Sequence, residues 1–304
     1  MANTVSGENT GVQLGQLFGF LNVYKPTGIT SHDVVAFLRR VTKIKQIGHT
    51  GTLDPFAEGV LPICIGKATR LIEYLDDEKE YLAQINFGKT TDTYDLDGQT
   101  TFEYDKKVSL DEVLEGLNEF RGEISQTPPI YSALKVNGKK LYEYARSGEE
   151  VKIESRKVTI EKIELKHFDQ ENQIAQVLIK CSKGTYIRSI AHDLGQNLEV
   201  GGYLTKLVRT QAGKFFVDNA TLLDEIQTME DVRNKLINPL EMIDFELVVI
   251  NEAEYKKILN GMAINNKSEK TKSEDMVILI YNDQICAIGQ ENQGQIKIKK
   301  VFSK

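Results

Sequence analysis

The sequence predicts an α+β fold: a large mixed body of strands and helices, followed by a small, mostly β appendage. Three observations carry that prediction. Strand-like and helix-like segments follow one another irregularly, without the regular βαβ rhythm of a wound parallel sheet. Of 304 residues, 40% are hydrophobic and 27% charged, enough apolar material for a sizeable core. After about residue 245 the texture changes to short β-like runs around polar turns. The expected division is 1–17 as a loose N-terminal tail, 18–244 as the main domain and 245–304 as a small C-terminal domain.

Phe18 to Val23 is a short apolar run ending at Lys25-Pro26, and predicts the first strand. Ser31 is the expected N-cap of a helix over 31–43, with Val34, Phe37, Leu38 and Val41 at helical spacing. Residues 46–60 hold three glycines and a proline and read as an ordered loop, with a strand over 61–65 and a short helix over 68–75 behind it. Tyr81 to Phe87 predicts a strand, and 89–98 a polar loop closed by Asp97-Gly98. Ser109 and Glu112 make a capping box for a helix with Leu110, Val113, Leu114 and Leu117 on one side. Pro128-Pro129 and then Asn137-Gly138 predict a loop followed by a tight hairpin. Val158, Ile160, Ile163 and Leu165 fall in a β-like stretch. Ala175, Val177, Ile179 and Cys181 then alternate with Gln176, Leu178 and Lys180. That strand runs into Lys183-Gly184-Thr185-Tyr186, with a helix expected from about Ser189. In the appendage, 252–261 reads as a helix and 263–274 as a polar turn or linker. Met276–Tyr281 and Ile285–Gly289 read as a hairpin about Asn282-Asp283, and Ile296–Val301 as a last strand.

Net charge is -6, which argues against a general nucleic-acid binder. The windows 30–70, 121–160 and 180–214 are nonetheless each net positive, so the remainder is strongly acidic. A basic face on an acidic body suits a selective RNA enzyme. No apolar run approaches the ~18 residues a membrane span needs. The N-terminal MANTVSGENTGVQLGQ lacks a basic leader and an apolar core, so the cytoplasm is the expected location. Cys64, Cys181 and Cys286 lie far apart among apolar residues and form no metal-ligand cluster with the four histidines. Buried reduced thiols and no metal site are expected. There is no Rossmann glycine pattern and no P-loop, so no cofactor is expected.

Two segments carry chemistry. In Gly48-His49-Thr50-Gly51-Thr52-Leu53-Asp54-Pro55, the aspartate sits in a Gly/Pro loop, and Pro55 restricts it to extended backbone angles. A carboxylate held this way can serve as a nucleophile or a base; a turn aspartate making an Asx-type hydrogen bond is the alternative. In Gly184-Thr185-Tyr186-Ile187-Arg188, a period of two would put Tyr186 and Arg188 on one face, projecting into one cleft. An arginine there offers a charge partner and a rigid fork for a carboxylate, and a tyrosine could stack on a base.

These segments, with others in the same order, strongly resemble the TruB family of pseudouridine synthases. The likeness rests on GHTGTLDPFAEGVLP (48–62), Lys25-Pro26-Thr27-Gly28-Ile29-Thr30-Ser31, Glu80-Tyr81, Tyr131-Ser132-Ala133-Leu134-Lys135, GKKLYEYAR (138–146) and CSKGTYIR (181–188). It runs from about residue 18 to 224. The resemblance implies a pseudouridine synthase fold with a mixed, mainly antiparallel central sheet flanked by helices. It implies an isomerase that converts uridine 55 in the T-arm loop of tRNA to pseudouridine by base flipping, without cofactor or metal. It further implies a monomer with tRNA as its partner, needing no protein partner and no membrane. Asp54, Tyr81 and Arg188 are the implied catalytic residues: the essential carboxylate, the aromatic stacked on the target base, and the partner of Asp54. Lys25, His49, Tyr186 and Leu207 are the implied substrate-binding residues, with His49 filling the gap left by the extruded base. His32, His167 and His192 match no functional position and read as structural or surface residues. Glu58 stands where many relatives have a small hydroxyl residue, and Val208 interrupts what is often a basic pair, leaving Arg209 alone. The tail matches the family's PUA-like RNA-binding domain only weakly.

Other classes fit the residues less well. A non-catalytic RNA module would need the basic face but not Asp54, Tyr81 and Arg188 together. A glycosidase usually needs two carboxylates, and only one stands in a motif. A relative that modifies another RNA within a ribonucleoprotein is the nearest alternative, and the short tail favours the stand-alone enzyme.

Overall fold

The computed structural model describes residues 17–268 and 270–302. Of the expected loose tail, 1–16 lie outside the described residues, and Leu17 is buried. The chain forms two compact units, the first ending at Ile237 and the second beginning at Asn238, against an expected boundary after residue 244.

In the first unit, β1 (Gly19–Lys25) turns into α1 (Ser31–Thr42), followed by β2 (Ile47–His49) and β3 (Glu58–Ile65). A 3-10 helix over Gly66–Tyr74 leads to β4 (Lys79–Phe87), and β5 (Lys89–Thr91) pairs with β6 (Thr100–Glu103). Then come α2 (Leu110–Asn118) and β7 (Gly122–Gln126), and a hairpin of β8 (Lys135–Val136) and β9 (Lys139–Lys140) entering α3 (Leu141–Ser147). β10 (Arg156–Asp169), β11 (Ile174–Cys181), α4 (Ile187–Asn197), β12 (Gly202–Ala212), β13 (Phe215–Phe216) and α5 (Met229–Asn234) complete it. One mixed sheet runs β1-β3-β12-β4-β11-β10-β7, with β2 on β3 and β13 on β12. Its pairings are antiparallel except β3 with β12. This is the mixed, mainly antiparallel sheet the family resemblance implies.

Alternation fixes which face is covered. In β4 the residues Tyr81, Ala83, Ile85 and Phe87 are buried, and in β11 Ala175, Val177, Ile179 and Cys181. They form one core with Val113 and Leu117 of α2 and Ile187, Ile190, Ala191 and Leu194 of α4. Near the other end of the sheet, Val34, Val35 and Leu38 of α1 pack on Leu21, Val23, Leu61 and Ile63.

Several expectations are corrected. Thr30, not Ser31, is the N-cap of α1: its hydroxyl accepts the Asp33 N–H and the Asp33 carboxylate accepts the Thr30 N–H. Ser31 is committed elsewhere, to Leu53. Leu110 and Leu114 are exposed, so α2 buries only Val113 and Leu117 of the expected four. The expected loop over 46–60 is shorter, because β2 and β3 take its ends. The sequence does not announce β12, since Thr205, Lys206, Arg209 and Thr210 interrupt its apolar pattern and irregularities shift its register against β4. The helix expected from Ser189 begins at Ile187, so no period of two links Tyr186 to Arg188. Asn137-Gly138 forms the tight turn as expected, with both φ values positive.

The second unit is a five-stranded sheet in the order β14-β16-β17-β18-β15. Its strands are β14 (Glu246–Val249), β15 (Ile264–Asn265), β16 (Met276–Tyr281), β17 (Gln284–Asn292) and β18 (Gln295–Val301). A helix over Glu252–Leu259 packs on it through Ile258. The expected linker over 263–274 includes β15, and Asn282 and Asp283, both at positive φ, turn β16 into β17.

Close backbone contact joins α4 to β12: a Cβ at Gly195 would lie 2.1 Å from the Gly202 nitrogen. Alanine is ordinarily the better helix residue by about 1 kcal/mol. Here the clash is with backbone and should win, so Gly195→Ala is expected to destabilise the protein by about 2 kcal/mol. A urea midpoint at or above that of the wild type would refute this packing argument.

Candidate active site

The segment from Thr50 to Ala57 is shaped by groups that reach its backbone from other parts of the chain. Ser31 Oγ accepts the Leu53 N–H at 2.8 Å and donates to the Leu53 carbonyl at 3.0 Å. The Gly28 N–H donates to the Pro55 carbonyl at 2.8 Å. Arg209, fully buried on β12, donates to the carbonyls of Val60 (2.6 Å) and Gly51 (3.1 Å), with Thr52 at 3.5 Å. β12 also runs tight against this loop's exit: Gly59 has φ +109°, and a Cβ there would sit 2.3 Å from the Arg209 carbonyl. Buried carbonyls need partners, and here the partners fix the backbone that carries Asp54.

Asp54 meets Arg188 from the first turn of α4, with Oδ2 3.0 Å from Nε, an ion-pair contact rather than an aligned hydrogen bond. The guanidinium side chain is only 5% exposed, whereas Asp54 is 35% exposed and open to a ligand. Arg188 Nη1 also meets Asp95 Oδ2 at 3.2 Å and donates to the Thr93 carbonyl, while Nη2 donates to the Tyr131 carbonyl. Asp95 was read in the sequence only as part of a polar loop. It is buried, its Oδ1 accepting from the Thr93 hydroxyl at 2.6 Å and the Asp97 N–H at 3.1 Å. Burial pushes its pKa upward, against the pull of Thr93, Arg188 and Asp97.

β4 and β12 bring the next residues together. Their register pairs Tyr81 with Arg209 and Ala83 with Leu207, so Tyr81 and Leu207 share the covered face. Both are buried in the core that includes Leu53 and Ile187. Burial raises the Tyr81 pKa, Arg209 working against it, so the side chain is a neutral phenol. His49 ends β2; burial, then Arg209 and His32, lower its pKa, and its Nδ1 is buried without a hydrogen-bond partner. At neutral pH its ring is therefore uncharged. Tyr186 precedes α4, its backbone gripped by Gln126 through both N–H and carbonyl, and its ring lies under the Arg156 guanidinium. Lys25 differs from the expectation of substrate contact. It is fully buried, and its ammonium donates to the carbonyls of Pro26, Ile29 and, at 3.4 Å, Pro55.

Beside Pro55 and Phe56 opens a cleft of about 830 Å³, lined also by Thr27, Gly28, Gln84, Leu96, Asp97 and Thr205. Glu58, at its wall, pairs with Lys206 at 3.2 Å. Among the described residues, no group of three or more His, Cys, Asp or Glu is placed to hold a metal ion. The arrangement offers one accessible carboxylate on a buried cation, beside an aromatic and aliphatic wall. Of its members, the sequence pointed to Asp54, Tyr81, Arg188 and Leu207. It missed Asp95 and the burial of Arg209; the only local signal for Asp95 was the aspartate-rich run from Asp92 to Asp97.

Residues 39–187 match the family described as TruB family pseudouridylate synthase (N terminal domain), and 188–243 match the tRNA pseudouridylate synthase B C-terminal domain. The chain is 42% identical over 291 residues to tRNA pseudouridine synthase B of Clostridium perfringens (strain SM101 / Type A), covering 93% of this chain and 98% of the relative. It is 43% identical over 292 residues to the protein of the same name from Carboxydothermus hydrogenoformans, with the same coverage of each. Among solved structures, it is similar to a chain in a crystal structure of a Cbf5-Nop10-Gar1 complex, with a TM-score of 0.71 and 25% identity over 94% of this chain and 85% of that one.

The ammonium of Lys25 gives a test by pH. Burial lowers its pKa to about 8, against an ordinary 10.5, although Asp54 pulls the other way. Between these values the unfolded chain binds more protons than the folded one, so this group's contribution to stability rises with pH. Lys25→Met is expected to destabilise by about 1–3 kcal/mol, because the Pro26 and Ile29 carbonyls lose the ammonium and the Pro55 carbonyl keeps only the Gly28 N–H. Its deficit relative to wild type should be larger at pH 10 than at pH 7.5. Urea titrations at the two pH values check this, and a deficit that shrinks at high pH would reverse the assignment.

Proposed function

Because the chain belongs to the TruB family of pseudouridine synthases, we propose that it isomerises uridine 55 in the T-arm loop of tRNA to pseudouridine. The observation that carries the reading is a part-exposed carboxylate, Asp54, held on buried Arg188 and backed by Tyr81 and Leu207. The reaction breaks the N1–C1′ bond, turns the uracil while it is held, and joins C5 to C1′. The proton at C5 is lost and N1 regains one, so atoms balance without a redox partner.

Each group has a place in that sequence. Asp54 acts at the sugar, either attacking C1′ or taking a C2′ proton. Cleavage of the glycosidic bond develops positive charge at the sugar. Asp54, Arg188 and Asp95 together carry net negative charge there, which favours that step. Tyr81 and Leu207 wall in the detached base, so that it rotates rather than escapes and water is kept out. Flipping the nucleotide costs a few kcal/mol of stacking. The uncharged ring of His49 fits the vacated space without desolvating a charge. Lys25 and Arg209 hold the Asp54 loop from below. Recognition rests on T-arm shape and on the basic stretches of the first unit. The enzyme acts as a monomer without a protein partner, in the cytoplasm, and the second unit supplies further RNA contact as a PUA-like domain.

Asp54→Asn keeps the side chain's size and removes its charge. It is expected to bind unmodified tRNA with a dissociation constant within about threefold of wild type, while pseudouridine formation falls by at least about 10⁴-fold. Tritium release from 5-labelled uridine in tRNA measures the second, filter binding the first. Turnover near the wild-type rate would remove Asp54 from the chemistry.

A further inference from the structure

Two rings lie stacked beside the charge cluster. Tyr94 and His192 have centroids 3.8 Å apart and planes 12° from parallel. His192 stands one turn after Arg188 on α4, so its imidazole and the guanidinium leave the same side of the helix. The segment Thr93-Tyr94-Asp95 is thereby held at two heights: Arg188 takes the Thr93 carbonyl and the Asp95 carboxylate, and His192 takes the Tyr94 ring.

Tyr94 also has φ +62°, a left-handed backbone that a tyrosine adopts only under constraint. That backbone has consequences for three acceptors. The Tyr94 carbonyl accepts the Leu204 N–H at 3.0 Å, the Asp95 carbonyl accepts the Thr91 hydroxyl at 2.8 Å, and the Thr93 carbonyl accepts from Arg188 at 3.0 Å. Relaxing residue 94 to an ordinary conformation would rotate the peptide planes on both sides of it. The Thr93 carbonyl and the Asp95 side chain would then leave Arg188. Burial lowers the His192 pKa, so the stack is between neutral rings at neutral pH.

We propose that the Tyr94–His192 stack is a clamp that keeps residue 94 in its left-handed conformation, and so positions Asp95 and the Thr93 carbonyl on Arg188 for turnover. Both are positioning residues, acting through the Thr93 carbonyl and Asp95 on Arg188. The inference rests on the reading of the chain as a pseudouridine synthase for its kinetic part only; the clamp itself is read from the backbone.

Four variants of the full chain test it. Tyr94→Phe keeps the ring. Tyr94→Ala removes the ring and leaves a residue that still disfavours a positive φ, so nothing then holds the left-handed conformation. His192→Ala removes the other half, and Tyr94→Ala/His192→Ala removes both. Amide exchange is read at Leu204 and Asp97, whose N–H groups are held by the Tyr94 carbonyl and Asp95. Exchange there should quicken about tenfold or more in Tyr94→Ala and His192→Ala, and stay within about twofold in Tyr94→Phe. On unmodified tRNA, kcat should fall about tenfold in Tyr94→Ala and His192→Ala with KM within about twofold, and Tyr94→Phe should keep the wild-type value. The double variant should lose no more than the worse single one. Unchanged exchange in Tyr94→Ala, an equal loss in Tyr94→Phe, or losses that multiply in the double variant would overturn the clamp. Failure of the wild type to form pseudouridine would instead overturn the function, with amide exchange still deciding the clamp.

Discussion

The site depends on one buried cation shared by two carboxylates. Arg188 has a rigid planar fork, and four acceptors surround it: Asp54, Asp95 and the carbonyls of Thr93 and Tyr131. Burying such a charge is costly unless its partners are in place, and removing one partner of a buried pair commonly costs about 3–5 kcal/mol. The arginine also sits in the first turn of a helix, where the backbone already presents partial positive charge. Two carboxylates rather than one offset that combination. The pair is unequal in access: Asp95 is 6% exposed and Asp54 is 35% exposed. Asp95 completes the charge cluster, which leaves Asp54 turned toward solvent at a fixed height.

A carboxylate can be placed only as well as the chain that carries it. Here the carrying loop has no regular structure, so its backbone groups need partners from outside. Three buried polar side chains supply them. Arg209 reaches across from β12 to three carbonyls, Ser31 brackets Leu53, and Lys25 gathers Pro26, Ile29 and Pro55. Two of the three are cations, which make stronger hydrogen bonds to carbonyls than neutral donors. Gly59 lets β12 come close enough for Arg209 to reach the loop. The family resemblance suggested that Lys25 binds substrate and left Arg209 alone where relatives often have a basic pair. Both are better explained as parts of the scaffold beneath Asp54.

Local patterns were legible where a single segment decides the outcome. The Asp54 loop, the alternation of β11, the turns at Asn137-Gly138 and Asn282-Asp283 and the capping box at Ser109 each follow from neighbouring residues. What could not be read is what distant segments decide together. Ser31 and Thr30 are equally good caps on paper; the loop that places Leu53 beside Ser31 settles which of them caps. Leu110 and Leu114 fit an amphipathic stripe, yet both stay exposed. β12 lies inside the sheet, between β3 and β4, although its polar residues and shifted register hide it. Asp95 and Arg209 matter because of where β12 and α4 bring them, and no spacing in the sequence encodes that.

The same geometry distinguishes an isomerase from a hydrolase. A glycosidase sets two carboxyl groups on opposite sides of the bond it cuts, about 5–9.5 Å apart, one to give a proton and one to attack or to activate water. This protein has two carboxylates close together, but both are bound to one guanidinium. Asp95 has no free edge: one oxygen accepts from Thr93 and Asp97, and the other faces Arg188. Its raised pKa therefore does not make it a proton donor to a ligand, because burial raises the pKa and burial also denies access. In the proposed reaction Asp54 is the acid left open on Arg188 while Tyr81 and Leu207 wall in the base, so a glycosidic bond would be loosened with no second open acid on that guanidinium to activate water. In that reaction the detached base would be the nucleophile held at the sugar, and its C5 would close the bond that N1 opened.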